Sequence, residues 1–357
     1  MKRILFLLLI GLLGVQLLYA RQLRFVFVSD LHYGLERKFR GREVTANEVN
    51  HAMAETVRTL PTVCFPADGG LGAGETIGPL DFVVCGGDIA NRMEHGVQPA
   101  AESWREFAEE WFQPGMPELW MLPGNHDISN AIGYPKPLTP ARDATSAAEI
   151  FNAAMHPAEP RTAGTFDYTT DRVVASFACE GIRFAFVGIW PDSRARGQLG
   201  RILDADPQMS CILFTHMPPE AEAQRFTNPF GRHTINRTDG FENLICDTCS
   251  VDAKGRPERE YRDLADFLRE HSSIRAWFHG HTNYNEFYTW QGPDGDLALP
   301  VFRVDSPMKG EYSEEDETML SFQIVCLDTE SGAMTVREYR WNNPDASWGD
   351  AVSQMIR

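Results

Sequence analysis

A chain of 357 residues, 43% hydrophobic and 23% charged, has the makeup of a globular protein able to bury one large core or two modest ones. Its formal charge of −17 repels nucleic-acid backbones and anionic membranes, so phosphate-driven binding to a nucleic acid polymer is set aside. A small phosphorylated substrate is not excluded, because bound cations reverse the field locally.

The first twenty residues stand apart: "MKR", then "ILFLLLIGLLGVQLL", then "YA" before Arg21. A basic start, an apolar run and a small residue form the order of a secretory signal peptide. Residues 1–20 are therefore read as a signal peptide, and the protein as secreted or held in the cell envelope (periplasmic in a bacterium). An uncleaved membrane anchor is the alternative, since the apolar run lies near the ~17-residue lower limit for spanning a bilayer. The oligomeric state has no signature in the sequence. Cys85, Cys179, Cys211 and Cys326 lie in apolar runs and read as buried free thiols. Cys246 and Cys249 form "CDTC" in a polar stretch, which suits a local disulfide; a zinc site would need a second ligand pair.

From residue 21 onward, short apolar runs alternate with helical patterns. "LRFVFVSDLH" (23–32) precedes a helical pattern over 43–60, and a glycine-rich surface loop (65–79) leads into "LDFVVCGGD" (80–88). A second helical pattern (101–112) leads to "ELWMLPGNHD" (118–127), and 128–165 reads as a long irregular connection. "RVVASFAC" and "IRFAFVGIW" (172–190) come next, then "SCILFTH" (210–216) and another irregular stretch, 217–256. A helix over 258–271 places Tyr261, Leu264, Ala265 and Leu268 on one stripe before "SIRAWFHGHTN" (273–283). "PVFRVD" (300–305), "LSFQIVCLD" (320–328) and "AMTVREYRW" (333–341) close the series. Strands alternating with helices predict an α/β fold. The runs at 172–190 and after 300 read as antiparallel additions that build a second sheet packed on the first. One domain over 21–345 and a C-terminal tail at 346–357 complete the expected organisation.

Five of these runs end abruptly in polar, metal-capable residues. Ligands in open α/β sheets gather beyond the carboxyl ends of the strands. Asp30, His32, Asp88, Asn125, His126, Asp127, His216, His279, His281 and Asn283 should therefore meet at one edge. A lone Asp-x-His is weak evidence, and a single strand-end histidine is more often structural; five such tips leave chance a small share. Carboxylates, imidazoles and amides without a thiolate suit Mn, Fe or Zn, with Mg or Ca as further candidates. A carboxylate can bridge, so two ions roughly 3.5–4 Å apart could share Asp88.

In order, Asp30-x-His32, Gly87-Asp88, Gly124-Asn125-His126-Asp127, His216 and Gly280-His281-x-Asn283 resemble the motifs of the calcineurin-like metallophosphoesterase superfamily. The resemblance implies two packed mixed sheets flanked by helices, and a dinuclear centre whose bridging hydroxide attacks phosphorus in a monoester or diester. It further implies Asp30 and His32 on the first of two divalent ions, Asp88 bridging, and Asn125, His216 and His281 on the second. His126 would be the outer acid or charge stabiliser near the leaving oxygen, with Asp127 orienting it.

Asn283 departs from the pattern, which usually carries histidine here; an amide oxygen is a weaker donor. Gly280 reads as supplying the backbone freedom for the turn that aims His281 inward. By strand alternation His279 faces away from the site. Arg92, four residues after Asp88, lies where some relatives bind phosphate, with His95 on the same rim. Arg232 and His233, in the polar segment 228–244, are further candidates for substrate contact. The readings are thus an exported metal-dependent phosphoesterase, a non-catalytic scaffold retaining the fold, or a membrane-tethered form.

Overall fold

The computed structural model describes residues 21–134, 136–220 and 258–357. Residues 1–20, Arg232, His233, Cys246 and Cys249 lie outside the described residues.

In chain order the structure runs β1 (Gln22–Val28), β2 (Glu36–Phe39), β3 (Arg42–Thr45), α1 (Ala46–Thr59), β4 (Phe82–Cys85), α2 (Ala100–Trp111) and β5 (Glu118–Met121). Next come α3 (Asn125–Ile132), α4 (Thr145–Met155), β6 (Val174–Cys179), β7 (Ile182–Val187), α5 (Ser193–Asp204) and β8 (Ser210–Thr215). It continues with α6 (Glu258–Glu270), β9 (Ile274–His279), β10 (Glu286–Trp290) and β11 (Leu299–Arg303), then β12 (Ser321–Asp328), β13 (Ala333–Arg340) and β14 (Trp348–Met355).

Two six-stranded sheets result, ordered β14-β13-β12-β1-β4-β5 and β10-β11-β9-β8-β7-β6. Both are mixed: β1, β4 and β5 run parallel, as do β7, β8, β9 and β11. Alternation puts Phe25 and Phe27 of β1 on one face. Their rings meet Phe214 of β8 and Phe278 of β9, with centroids 6.0 Å (Phe25–Phe214) and 5.4 Å (Phe27–Phe278) apart. Val26 and Val28, on the opposite face, are buried too, which is why β1 is an unbroken apolar run. On the outer side of the second sheet, Leu199 and Leu203 of α5 and Leu264 and Leu268 of α6 cluster with Val187, Leu213 and Trp277.

Three expectations change. The stretch 128–165 is not irregular throughout, since it holds most of α3 and all of α4, whose Ala147, Ala148, Ile150, Phe151 and Ala154 are buried. The supposed tail at 346–357 contains β14, an edge strand paired antiparallel to β13. β14 is half-exposed and lacks the apolar run of a buried strand, so the ladder and not its composition holds it. Finally, the later runs do not form one antiparallel sheet. β12 pairs antiparallel with β1 in the first sheet, whereas β11 returns from the edge strand β10 to pair parallel with β9. The carboxyl end of β11 therefore arrives at the same edge as those of β8 and β9.

Candidate metal centre

The loops leaving the parallel strands interlock before any side chain is considered. Asp30 N–H donates to Gly87 O (2.9 Å), His32 N–H to Asp88 O (2.9 Å) and Gly280 N–H to His216 O (3.1 Å). Asp30, His32, Asp88, His281 and Asn283 have φ of 57°, 43°, 51°, 71° and 60°. Such left-handed backbone is uncommon for residues with a Cβ and gathers at functional sites. Gly280 is not among the positive-φ residues; it is needed for space. A Cβ there would lie 2.1 Å from Asp30 Oδ2, and one on Gly124 would lie 2.0 Å from Asp88 Oδ1. The glycines of both motifs let one backbone pass against the carboxylate of another strand's tip.

One half of the site is compact. His216 Nε2 lies 2.9 Å from Asn125 Oδ1 and 3.4 Å from Asp88 Oδ2. His281 Nδ1 lies 3.0 Å from Asn125 Oδ1 and 3.2 Å from His216 Nε2. His216 Nδ1 is 2.9 Å from the carbonyl of Gly86. A carbonyl only accepts, so Nδ1 carries a proton and, in the neutral ring, Nε2 presents its lone pair to the cluster. Burial opposes a charge on His216, yet Asp88 and Asp30 raise it to about 9, so the field here favours a cation.

The other half is looser. His32 Nε2 stands 3.7 Å from Asp30 Oδ1 and 3.9 Å from Asp88 Oδ2. Asp30 Oδ1 and Asn283 Oδ1 are both buried and accept no hydrogen bond. Burial lifts the Asp30 carboxyl to about 6, His216 and the backbone pulling the other way. Burial also disfavours charge on Asp88, but His216, His126 and His32 together hold it well below the usual carboxylate range. Asp88 belongs to two of the three groups of ligand-competent side chains among the described residues, one with His32 and His126 and the other with His216 and His281.

His126 is set up the opposite way to His216. Its Nδ1 accepts the Arg92 backbone N–H at 3.0 Å, so the neutral ring bears its proton on Nε2, 3.9 Å from Asp88 Oδ2. Burial, then the charge of Arg92, push its pKa well down, which keeps that ring neutral. Asp127 does not orient it. The Asp127 carboxylate accepts the N–H groups of Ile89 (3.2 Å), Ala90 (3.0 Å) and Gly124 (3.0 Å), capping α3 and fastening its start to the β4 loop. Burial, then the charge of Asp88, raise that carboxyl to about 7.

Arg92 is buried at the rim, its guanidinium 3.8 Å from the Tyr134 ring centroid and 3.9 Å from Glu94. His95 is exposed. His279 faces away, with Nδ1 at Gly280 O (2.8 Å) and Nε2 at Tyr288 Oη (3.2 Å). Lys309 escaped the sequence reading. It follows β11, and its charge acts on Asp88, Asp30, His32 and His126. Because β11 runs parallel to β9, its carboxyl end joins the other five at this edge.

These residues fit two divalent ions. Asn125 Oδ1, His216 Nε2 and His281 Nδ1 converge within 3.2 Å, an oxygen and two imidazole nitrogens that a divalent cation could take as ligands. The unbonded oxygens of Asp30 and Asn283 beside His32 make the same case for a second position, and oxygen and imidazole donors without thiolate suit Mn, Fe or Zn.

The calcineurin-like phosphoesterase family profile matches residues 23–284, a span that takes in all five strand tips. The chain belongs to the calcineurin-like phosphoesterase family. A solved dimetal phosphatase from Danio rerio has the same fold, with a TM-score of 0.54 at 12% identity over 94% of this chain and 99% of that one. A Vps29 single mutant from Entamoeba histolytica matches at TM-score 0.34 and 10% identity, over 93% of this chain and 99% of that one. Vps29 from Chaetomium thermophilum matches at TM-score 0.32 and 8% identity, over 93% and 92% respectively. No curated protein matches. As in other folds with strand-end sites, the family's motif residues here come from the carboxyl ends of two parallel blocks.

Proposed function

We propose that the protein is a metal-dependent hydrolase of small phosphoric esters, exported by way of residues 1–20. The observation that carries this reading is the opposed protonation of two imidazoles, each set by the backbone. His216 gives its Nδ1 proton to Gly86 O and turns a lone pair inward, as a ligand must. His126 accepts at Nδ1 and turns a neutral N–H inward, which can hydrogen-bond and steady the charge on a leaving oxygen. A pair of ions held by Asp30, His32, Asp88 and Asn283 on one side, and by Asp88, Asn125, His216 and His281 on the other, would supply Lewis acidity and a water of lowered pKa.

The chain's own contribution is placement. Asp88 uses Oδ1 to accept the His126 backbone N–H at 2.7 Å, which leaves Oδ2 directed between the two halves. Asp30 likewise gives Oδ2 to the His281 N–H at 2.8 Å and keeps Oδ1 for the site. Asp127 holds the N-terminal turn of α3 so that Asn125 and His126, adjacent in sequence, serve as ligand and donor. Arg92 sits where it can meet an anionic substrate. The formal charge of −17 favours small soluble substrates over polymers.

The test is a panel of phosphomonoesters and of cyclic and linear phosphodiesters, assayed with Mn, Zn, Fe and Mg in turn. Turnover of at least one class, abolished by chelation and restored by metal, is the expected result. A protein that binds two equivalents of metal and hydrolyses none of the panel would be a scaffold.

A further inference from the structure

The loop after β11 is fastened to the site at several points. Ser306 Oγ donates to the Asp30 carbonyl (2.7 Å) and accepts the Lys309 N–H (2.9 Å). Glu311 N–H donates to the Asn283 carbonyl at 2.7 Å. From β2, the Arg37 guanidinium reaches the carbonyls of Pro307 (2.6 Å) and Ser313. Gly310 packs so closely that a Cβ would lie 1.9 Å from Ser313 Oγ and 2.4 Å from Asp305 Oδ1. The loop is thus tied to the backbone at both Asp30 and Asn283, on the looser half, and Lys309 lies between these ties. Among the described residues the Lys309 ammonium makes no hydrogen bond or salt bridge; the carboxylates of Asp88, Asp30 and Glu94 and the like charge of Arg92 act on it from farther off. A half-buried cation on a loop held this way, whose charge acts on Asp30, Asp88, His32 and His126, is suited to an anion that comes and goes.

The number of terminal oxygens says which anion. A phosphomonoester presents three and a phosphodiester two. Once two oxygens are given over to a pair of ions, only a monoester has a third for the chain to bind. We propose that Lys309 binds this third terminal oxygen and makes the site selective for phosphomonoester dianions over diesters. The proposal rests on the hydrolase reading above and extends it to a substrate class.

The experiment compares wild type, Lys309→Met and Lys309→Arg, each loaded with the metal that performs best in the panel. It measures kcat/KM for p-nitrophenyl phosphate and bis(p-nitrophenyl) phosphate, and the affinity for inorganic phosphate by calorimetry. Wild type is expected to prefer the monoester. Lys309→Met should lose roughly 10- to 100-fold in kcat/KM on the monoester and a similar factor in phosphate affinity, the size of a lost charge-assisted hydrogen bond. Its activity on the diester should change by less than about threefold, and Lys309→Arg should recover much of the monoester preference. Equal losses on both esters, a wild type that prefers diesters, or unaltered phosphate affinity in Lys309→Met would each overturn the proposal. If wild type hydrolyses no member of the wider panel the hydrolase reading fails, and phosphate affinity alone then judges Lys309: weaker in the Met variant supports it, equal rejects it.

Discussion

The two halves of the metal centre share Asp88 and differ in almost everything else. Around His216 the donor atoms stand 2.9–3.4 Å apart, drawn together in a closed cluster with Asn125 and His281. Around His32 the nearest donors stand 3.7 and 3.9 Å away, and two buried oxygens, of Asp30 and Asn283, make no hydrogen bond. The compact half rests on a helix start and two strand tips whose histidines are fixed by backbone or side-chain partners. The looser half rests on Asp30 and Asn283, whose carbonyls are braced by the loop carrying Lys309. The difference teaches that the chain alone draws one half together, while the other keeps two buried oxygens without a partner. The amide of Asn283, in place of a stronger imidazole donor, lies on the looser half.

The most severe way to break the comparison is to remove the residue the halves share. Asp88→Asn should strip charge from both positions and lower turnover by at least roughly three orders of magnitude, because both the nucleophile and its electrostatic support depend on the ions. Metal analysis alongside steady-state rates checks it; half of wild-type turnover with full metal content would end the shared-carboxylate assignment.

His126 lies beside both halves and should sharpen the line between holding ions and moving protons. His126→Ala is expected to keep both metals and lose roughly 10²–10⁴-fold in rate. The loss should shrink for esters with strongly acidic leaving groups, which depart without a proton. An equal deficit across a leaving-group series would mark His126 as structural.

A smaller effect tests the asymmetry itself. Asn125→Ala should weaken one equivalent of metal by at least roughly tenfold, since it dismantles the compact cluster, and Asn283→Ala should cost clearly less. Titration with a graded chelator separates the two, and a larger loss from Asn283→Ala would reverse the ranking of the halves.

Asn283→His should bring the mildest change. An imidazole offered to the looser half should improve metal retention by roughly a few fold and move preference towards Zn and away from Mn or Mg. Identical retention curves for wild type and variant would mean that the Asn283 oxygen does not reach the ion.

Much of the fold was legible because its strands are buried on both faces. A run such as "LRFVFV" cannot be anything exposed, and its sudden end in "SDLH" marks where the chain leaves the sheet. The candidate ligands were readable for the same reason, each lying one to four residues beyond such a run. β14 was not legible, because an edge strand with one face in water has no such run and is held by its neighbour's ladder. The helices α3 and α4 were hidden in a stretch whose turn residues outweighed its short apolar stripes. Gly280 was assigned to a turn, yet its place against Asp30 Oδ2 depends on a strand 250 residues distant in sequence (280 − 30).

By itself the sequence determined which residues could carry the chemistry, since donor types and strand ends are local properties written along the chain. Only the tertiary structure decided how those residues divide their work. Whether a histidine turns a lone pair or an N–H into the site depends on whether its other nitrogen meets a carbonyl, as His216 meets Gly86, or an N–H, as His126 meets that of Arg92. Whether Lys309 belongs to the site depends on β11 running parallel to β9, because the direction of a strand decides which end of the sheet its following loop reaches. Neither the partner of a ring nitrogen nor the direction of a strand is encoded in any short stretch; both are fixed when distant segments pack.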